Sequence, residues 1–170
     1  MITIAVGSDG VTGRTTGHPR GNIVQVSIDV ADTAVIERPI GDVSAFSGDP
    51  SNAPEWCRQV DTAEWETDPP TRLGSRIRYR GRWLGRPATG VFELAEHSPG
   101  EQVAIRRVAG PYPIEVIATW RPVGDRVTHL ALQVHASPRG LRRLLTPLLA
   151  RRLRRALTRC LADLRHQLER

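Results

Sequence analysis

The feature that most constrains this fold is a series of short strand-like segments followed by one long amphipathic segment. The strand-like segments occupy residues 60–65, 76–84, 88–97, 102–108, 114–121 and 126–135. Turn-forming residues separate them, and no helical pattern lies between them. Closely spaced strands without intervening helices predict an antiparallel meander. An apolar run from Ile23 to Ile36 predicts one further strand at the start.

Two short helices are predicted between the first strand and the meander. Ile40, Val43 and Phe46 share one face at helical spacing, which indicates a first helix. Asp49 has a side chain typical of helix caps, and it precedes a second short helix that ends near Trp56.

The long last segment is predicted to be an amphipathic helix that begins near Arg139. Its leucines recur every three or four residues as far as Leu168. Pro147 predicts a kink, or a short helix followed by the main one. A curved sheet cannot bury its inner face on itself, so we expect this helix to close the open side. The predicted class is α+β, a helix-grip fold, in which about six to seven curved antiparallel strands wrap around the C-terminal helix and leave a cavity.

The positive charge of the chain belongs to the terminal segment. The formal net charge is +6, but residues 139–170 hold ten arginines against only Asp163 and Glu169. The remainder has 14 arginines and 16 acidic residues, so nucleic acid is not an expected partner. We expect a solvated helix face. The alternative is a non-enzymatic module that docks on a ribosome or an anionic membrane, with membrane contact through Arg151, Arg152, Arg154 and Arg155.

Length and composition predict one soluble, cytoplasmic domain without a metal or a cofactor. Residues 1–24 are rich in Gly, Ser and Thr and are expected to form a flexible leader before a domain at residues 25–170. No apolar run reaches the roughly 20 residues that cross a bilayer. Cys57 and Cys160 are far apart in the sequence, so we expect no disulfide and a reducing compartment. No histidines have metal-ligand spacing. The oligomeric state stays open.

Several segments resemble a known family. Residues 34–46, AVIERPIGDVSAF, and 49–56, DPSNAPEW, resemble the opening of START-like (SRPBCC) proteins, in particular their polyketide cyclase/dehydrase and lipid-transport branch. Residues 110–113, GPYP, and 120–128, WRPVGDRVT, resemble that branch's penultimate hairpin. The resemblance implies binding of a polyketide- or lipid-like hydrophobic molecule in an internal cavity, in some members with cyclisation, dehydration or hydrolysis. The family shares no universal catalytic residue, so none is predicted.

Four aromatic residues are candidates for lining this cavity: Trp56, Tyr79, Trp83 and Trp120. The resemblance places Trp56 where the family caps one end of the cavity. Arginine alternates with other residues from Arg76 to Arg80, which predicts that Tyr79, and Trp83 further along the strand, face inward. A plain core role is the alternative for each.

Three charged residues within predicted strands, Glu93, Arg107 and Glu115, are candidates for polar groups inside the cavity. A buried carboxylate with a raised pKa would serve as the general base for an aldol-type cyclisation. The alternative is that these side chains lie on the outer face of the sheet.

Overall fold

One antiparallel sheet of seven strands forms the frame of the protein. The computed structural model describes residues 27–68, 71–83, 86–137 and 146–170. The strands are β1 Ile28–Ile36, β2 Val60–Trp65, β3 Arg76–Trp83, β4 Arg86–Ser98, β5 Gln102–Ala109, β6 Ile114–Gly124 and β7 Val127–Ala136. They follow the order β1-β7-β6-β5-β4-β3-β2, so β1 and β2 form opposite edges of the sheet. The predicted meander and its helix-grip class are confirmed.

Two short helices carry the chain from one edge of the sheet to the other. Helix α1 spans Ile40–Ser47, and helix α2 spans Ala53–Trp56. Between them, the Asp49 side chain accepts a hydrogen bond from the Ser51 amide at 2.9 Å and begins a 3-10 turn over Pro50–Asn52. Asp49 therefore has the capping role that its residue type predicts.

Helix α3 spans Thr146–Leu168 and packs mainly along β1. Pro147 lies in its first turn, where the helix needs no amide hydrogen from that residue. The predicted kink, or short helix before the main one, concerns the junction with residues 138–145, which lie outside the described residues. None of the described helices combines the length and the apolarity of a membrane span. The leader at residues 1–24, the start of the first strand and the expected helix start near Arg139 lie outside the described residues.

The two faces of the sheet differ sharply in burial. On β7, the buried set points toward α3, and it consists of Thr128, Leu130, Leu132, Val134 and Ala136. The buried stripe of α3 consists of Leu149, Leu153, Leu157, Cys160, Leu161 and Leu164. We call the side of the sheet that faces these helix residues the concave face, and the opposite side the convex face. The helix thus supplies the core for the β1 and β7 side of the sheet.

Two prolines next to the predicted strand segments 88–97 and 114–121 lie inside the observed strands. Pro87 is the second residue of β4 and pairs with Arg82, and Pro122 is opposite Thr128 near the end of β6. The β6–β7 register shifts directly after Pro122. Proline is tolerated at strand ends and bulges because these positions need no ladder hydrogen bond from it.

The two cysteines lie together in the structure. Cys57, at the end of α2, and Cys160, on α3, form a disulfide across 103 residues of sequence, with a Cα–Cα distance of 4.6 Å. The expectation of no disulfide is wrong. The argument from the cysteines for a reducing compartment therefore loses its basis.

Candidate functional site

The concave face is only partly covered on the side of the sheet away from β1. Helix α3 packs along β1 at one edge of the sheet, and only the short helix α2 and the turn before it contact β2 at the other edge. Ala63, Trp65, Tyr79, Arg107 and Val116 point inward by their strand register, yet each is only half-buried. These side chains pack against the core but keep accessible surface, so they mark the least covered part of the concave face. We call this accessible region the open space, and it is the candidate site.

Arg107 is the cation of this face. It pairs with Phe92 across β4 and β5, on the same side of the sheet as the buried Leu94 and Ile105. Its guanidinium carbon lies 5.0 Å from the centre of the Phe92 ring and 5.5 Å from that of Tyr112. Such distances are typical of cation–π contacts. The two rings hold the charge at the surface of the open space.

The polar contacts of Arg107 are incomplete. One terminal nitrogen donates to the backbone carbonyl of Tyr112 at 3.5 Å, which is at the limit of a hydrogen bond. Its Nε is buried and has no hydrogen-bond partner among the described residues. No carboxylate in the described part of the chain forms an ion pair with it. Burial lowers the pKa of Arg107, and the neighbouring Tyr112 opposes that shift. A guanidinium nevertheless stays charged in proteins.

Two glycines make room for the Arg107 side chain. A Cβ added to Gly90 would lie 3.0 Å from the Arg107 Nε, and one added to Gly110 would lie 2.6 Å from its Cδ. Gly110 also has φ +149°, a backbone region that other residues rarely adopt. The missing side chains at Gly90 and Gly110 leave the room that the Arg107 side chain occupies, and they thereby determine the position of its guanidinium.

Tyr79 borders the same space but is already hydrogen-bonded. Its hydroxyl donates to the Pro50 carbonyl at 2.9 Å, and its ring lies 5.2 Å from the Phe92 ring. Burial raises the pKa of Tyr79 far above its ordinary value, with Asp49 adding to the shift. The phenol therefore stays neutral and joins the sheet to the turn before α2. Its inward position agrees with the prediction from arginine alternation.

The tryptophan candidates have different surroundings. Trp120 is 3 % exposed, and its Nε1 donates to Ser47 at 2.9 Å, so it anchors α1 to the sheet. Trp56 is half-buried at the end of α2, and its Nε1 is buried without a partner among the described residues. The Trp83 backbone belongs to β3, but its side chain lies outside the described part of the structure.

The two carboxylates expected inside the cavity point away from it. Glu93 lies opposite Arg106 and Arg76, with the Arg76 Nε at 3.4 Å from its carboxylate. Glu115 lies opposite Arg106, at 3.3 Å from its guanidinium. Both glutamates are therefore on the convex face, and their assignment as buried bases is corrected. Placing a glutamate beside an arginine at the water-exposed face costs less free energy than burying its carboxylate without water.

Sequence reasoning missed the residues that hold Arg107. Phe92 and Gly90 sit in β4, and Tyr112 lies in the segment 110–113 that carries part of the family resemblance. Of these residues, only those in the segment 110–113 belonged to a recognised motif, and that motif indicated the fold and not a binding site. The contacts with Arg107 depend on strand pairing, which local patterns do not specify.

Helix α3 presents its arginines opposite its buried stripe. Arg151, Arg155 and Arg159 recur at helical spacing on the exposed side, flanked by Arg152 and Arg154. None of the five has a carboxylate in salt-bridge range within the described residues, in contrast to the pairs Arg58–Asp163 and Arg165–Glu169. Leu148 is exposed on the same side of the helix.

Sequence comparison identifies the family. The family model described as polyketide cyclase/dehydrase and lipid transport matches residues 27–169. The chain belongs to this family. The predicted START-like resemblance is therefore confirmed. No curated protein sequence matches the chain.

Solved structures of other proteins share the fold of this chain at low sequence identity. A protein from Thermus thermophilus superposes with a TM-score of 0.72 at 17% identity, covering 82% of this chain and 96% of that one. The Zhui aromatase/cyclase from a Streptomyces species has a TM-score of 0.71 at 16% identity, with 85% and 95% covered. A START superfamily protein from Mycobacterium smegmatis has a TM-score of 0.69 at 13% identity, with 83% and 97% covered.

Proposed function

We propose that the protein binds a hydrophobic small molecule between the concave face and helices α2 and α3. The observation that carries the proposal is the set of inward side chains that remain half-buried, among them Trp65, Tyr79 and Val116. Apolar side chains around a few polar groups are typical of ligand pockets. Membership of a family described by polyketide cyclisation and lipid transport supports the same conclusion.

Arg107 is the polar anchor in this proposal. Arg107 is charged, half-buried and without a carboxylate partner among the described residues, so a ligand oxygen that accepts from its guanidinium is favoured. The flanking rings of Phe92 and Tyr112 favour a ligand with a flat or apolar body. The ligand is therefore a hydrophobic molecule with a carbonyl, phenolate or carboxylate oxygen. A polyketide-like chain, which carries many carbonyl oxygens, has this chemistry.

Binding, rather than catalysis, is the primary function that we propose. The two glutamates considered as general bases are on the convex face, and the Tyr79 hydroxyl is bonded to the Pro50 carbonyl. Cyclisation or dehydration of a polyketide-like ligand is the finer form of the proposal. In that form, Arg107 polarises the ligand oxygen and holds the reacting chain in place.

The test is to fill the space and follow an uncharged fluorescent probe, N-phenyl-1-naphthylamine. Val116→Trp adds bulk to the concave face, and Ile117→Trp adds the same bulk to the convex face one residue later. We expect probe binding in the wild type and in Ile117→Trp, with at least a tenfold loss in Val116→Trp. Circular dichroism checks that each variant folds, and Val116→Phe serves if Val116→Trp does not. Absence of binding by the wild type, or equal binding by the folded variants, would overturn the proposal.

A second candidate function is attachment to an anionic membrane through α3. The supporting observation is the row of arginines without carboxylate partners, together with the exposed Leu148, on one side of the helix. Each basic residue near an anionic lipid surface contributes about 1 kcal/mol. A ribosome is the alternative surface, but α3 has no aromatic residue for stacking on bases.

Co-sedimentation separates these surfaces. We expect the protein to pellet with phosphatidylserine vesicles at low salt, and to be released by 0.5 M NaCl and by the combined Arg→Gln changes at 151, 152, 154 and 155. Neutral phosphatidylcholine vesicles are the control. No pelleting at low salt removes the membrane candidate, and pelleting with ribosomes alone replaces it.

A further inference from the structure

The open side of the sheet is closed by a contact between two helices. Strand β1 forms one edge and carries α3, while β2 forms the other edge and packs against α2. Helices α2 and α3 then contact each other, and this contact completes the ring around the concave face. We call it the seam. Its residues are 53–58 on the side of α2 and 160–170 on the side of α3.

The disulfide between Cys57 and Cys160 lies at the seam. It joins the end of α2 to the middle of α3 and so links the two edges of the sheet covalently. Within the described residues it is the one covalent bond between distant parts of the chain. The state of this bond therefore determines whether the ring is closed by a covalent link or by weaker contacts.

The two sulfurs differ in access. Cys160 is 3 % exposed, whereas Cys57 is half-buried. Cys57 also lines an open groove of about 190 Å³ along the seam, together with Trp56, Arg58, Asp163 and His166. Cys57 is therefore the more accessible of the two cysteines for a soluble thiol, and Cys160 is buried in the core.

One side chain is placed to serve the reduced state as well. The Gln59 Oε1 lies 3.3 Å from the Cys57 sulfur and 3.1 Å from the Cys160 sulfur. An amide oxygen at these distances accepts hydrogen bonds from thiols. After reduction, Gln59 therefore offers an acceptor at the seam to a freed S–H group.

The two sides of α3 are held by unequal forces when the disulfide is absent. On the β1 side, the Glu37 amide donates to Glu169 at 2.9 Å and the Arg38 Nε donates to the Leu168 carbonyl at 2.6 Å. On the α2 side, the ion pair Arg58–Asp163 remains, with the Arg58 side chain 80% exposed. Exposed ion pairs contribute little because water and salt screen them. Reduction therefore frees the α2 side and leaves the β1 side as the hinge.

We propose that Cys57–Cys160 is a reversible redox latch on the seam, which controls the exchange of ligand with the concave space. The claim that the latch controls ligand exchange rests on the proposed function. The claim that the disulfide opens and closes the seam does not. A thiolate of a dithiol reductant attacks the Cys57 sulfur, the S–S bond breaks, and Cys160 leaves as a thiolate that takes up a proton. The second thiol of the reductant then displaces the Cys57 thiol. The protein gains two electrons and two protons, and the reductant becomes a disulfide.

Hydrogen exchange with mass spectrometry tests the latch directly. The purified protein is compared after oxidation and after treatment with dithiothreitol, and alkylation counts the free thiols. We expect no free thiol in the oxidised form and two in the reduced form. Amide exchange in residues 53–58 and 156–168 is expected to rise at least tenfold on reduction, with β7 unchanged. Reoxidation should restore the slow exchange.

The rate of probe release tests the link to ligand exchange. We expect N-phenyl-1-naphthylamine to leave the reduced protein at least tenfold faster than the oxidised one. Cys57→Ser should behave as the reduced form with or without dithiothreitol, and Arg58→Gln is the control that keeps the disulfide. Unchanged amide exchange on reduction, or unfolding of the reduced protein, overturns the latch. If reduction speeds amide exchange at the seam but the probe binds neither state, only the proposed function is contradicted. Probe release at one rate in both states overturns only the control of exchange.

Discussion

Two neighbouring arginines of β5 have opposite environments. Arg106 points to the convex face, is exposed, and lies 3.3 Å from the Glu115 carboxylate. Arg107 points to the concave face, between the rings of Phe92 and Tyr112, and its Nε is buried without a partner among the described residues. The difference shows that the ion pair of Arg106 lies on the convex face, whereas Arg107 is an incompletely satisfied cation on the concave face.

The convex face extends the pattern of Arg106 across other strands. Arginines of β3 pair there with glutamates of neighbouring segments: Arg76 with Glu93, Arg78 with Glu66, and Arg80 with Glu64. These side chains are between 28% and 56% exposed, and an ion pair in contact with water contributes between about 0 and 1 kcal/mol. We infer that the convex face contributes solubility, and that the concave face contributes both the core and the binding chemistry.

The largest expected difference between the faces concerns stability. Ile77 is fully buried on the concave side of β3, and Arg78, the next residue, is on the convex side. Ile77→Ala should lower the free energy of unfolding by about 2–5 kcal/mol, because it leaves a cavity in the core. Arg78→Ala should lower it by less than about 1 kcal/mol. Urea unfolding measures both, and similar losses in the two variants would contradict the division between the faces.

The buried hydrogen bond of Trp120 should have the next largest effect. Trp120→Phe removes the donor to the Ser47 hydroxyl in the buried contact between β6 and α1. We expect a loss of about 1–2 kcal/mol in the free energy of unfolding. Ser47→Ala removes the same bond from the other side. A double-mutant cycle should therefore show coupling, and additive losses would mean that the bond contributes nothing.

The Tyr79 phenol gives a pH-dependent test of burial. Because burial raises its pKa in the folded state, the folded protein holds this proton at pH values where the unfolded chain, with a pKa of about 10, loses it. The stability from Tyr79 is therefore complete below about pH 10 and is lost as pH rises above that value. Tyr79→Phe should cost about 0.5–1.5 kcal/mol at neutral pH and make unfolding less sensitive to alkali.

Absorbance at 295 nm follows this ionisation. The chain has two tyrosines, Tyr79 and Tyr112. In the wild type, we expect the Tyr79 contribution to the tyrosinate absorbance to appear only when the protein unfolds in alkali. Ionisation of Tyr79 in the folded protein near pH 10 would contradict the raised pKa of its phenol.

The smallest expected effect belongs to the convex pair Arg80–Glu64. Its charged atoms are 3.9 Å apart, and both side chains are more than half exposed. A double-mutant cycle with Arg80→Gln and Glu64→Gln should give a coupling below about 0.5 kcal/mol, which 1 M NaCl removes. A coupling above about 1 kcal/mol would show that the convex face also holds the fold together.

Most of the fold follows from the sequence because local patterns specify it. Turn residues bound the strands, and the alternation from Arg76 to Arg80 correctly predicts which side of β3 faces water. The sequence pattern also contains the information that Glu115 points to the convex face. Trp120 lies five positions away in the same strand, and two residues an odd number apart point to opposite faces of a regular strand.

The errors at other positions arise from interactions that no local pattern encodes. Glu93 is an exception, because its outward direction follows from the buried Phe92 and Leu94 on either side of it in β4. The pairing of Cys57 with Cys160 depends on the contact between α2 and α3, which only the tertiary structure creates. Arg107 was proposed from its residue type, whereas the rings and glycines around it required the strand register.

The binding of two matched probes tests most directly whether Arg107 anchors a ligand. 1-Anilinonaphthalene-8-sulfonate and N-phenyl-1-naphthylamine share an aromatic body, and only the first carries an anionic group. Arg107→Met should weaken the sulfonate by about 10- to 100-fold, as expected for a charge-assisted hydrogen bond of about 1.5–3 kcal/mol, and the uncharged probe by less than about threefold. Arg106→Met should change neither affinity. Equal effects of the two arginine variants on the sulfonate, or equal weakening of both probes by Arg107→Met, would contradict an anionic anchor on the concave face.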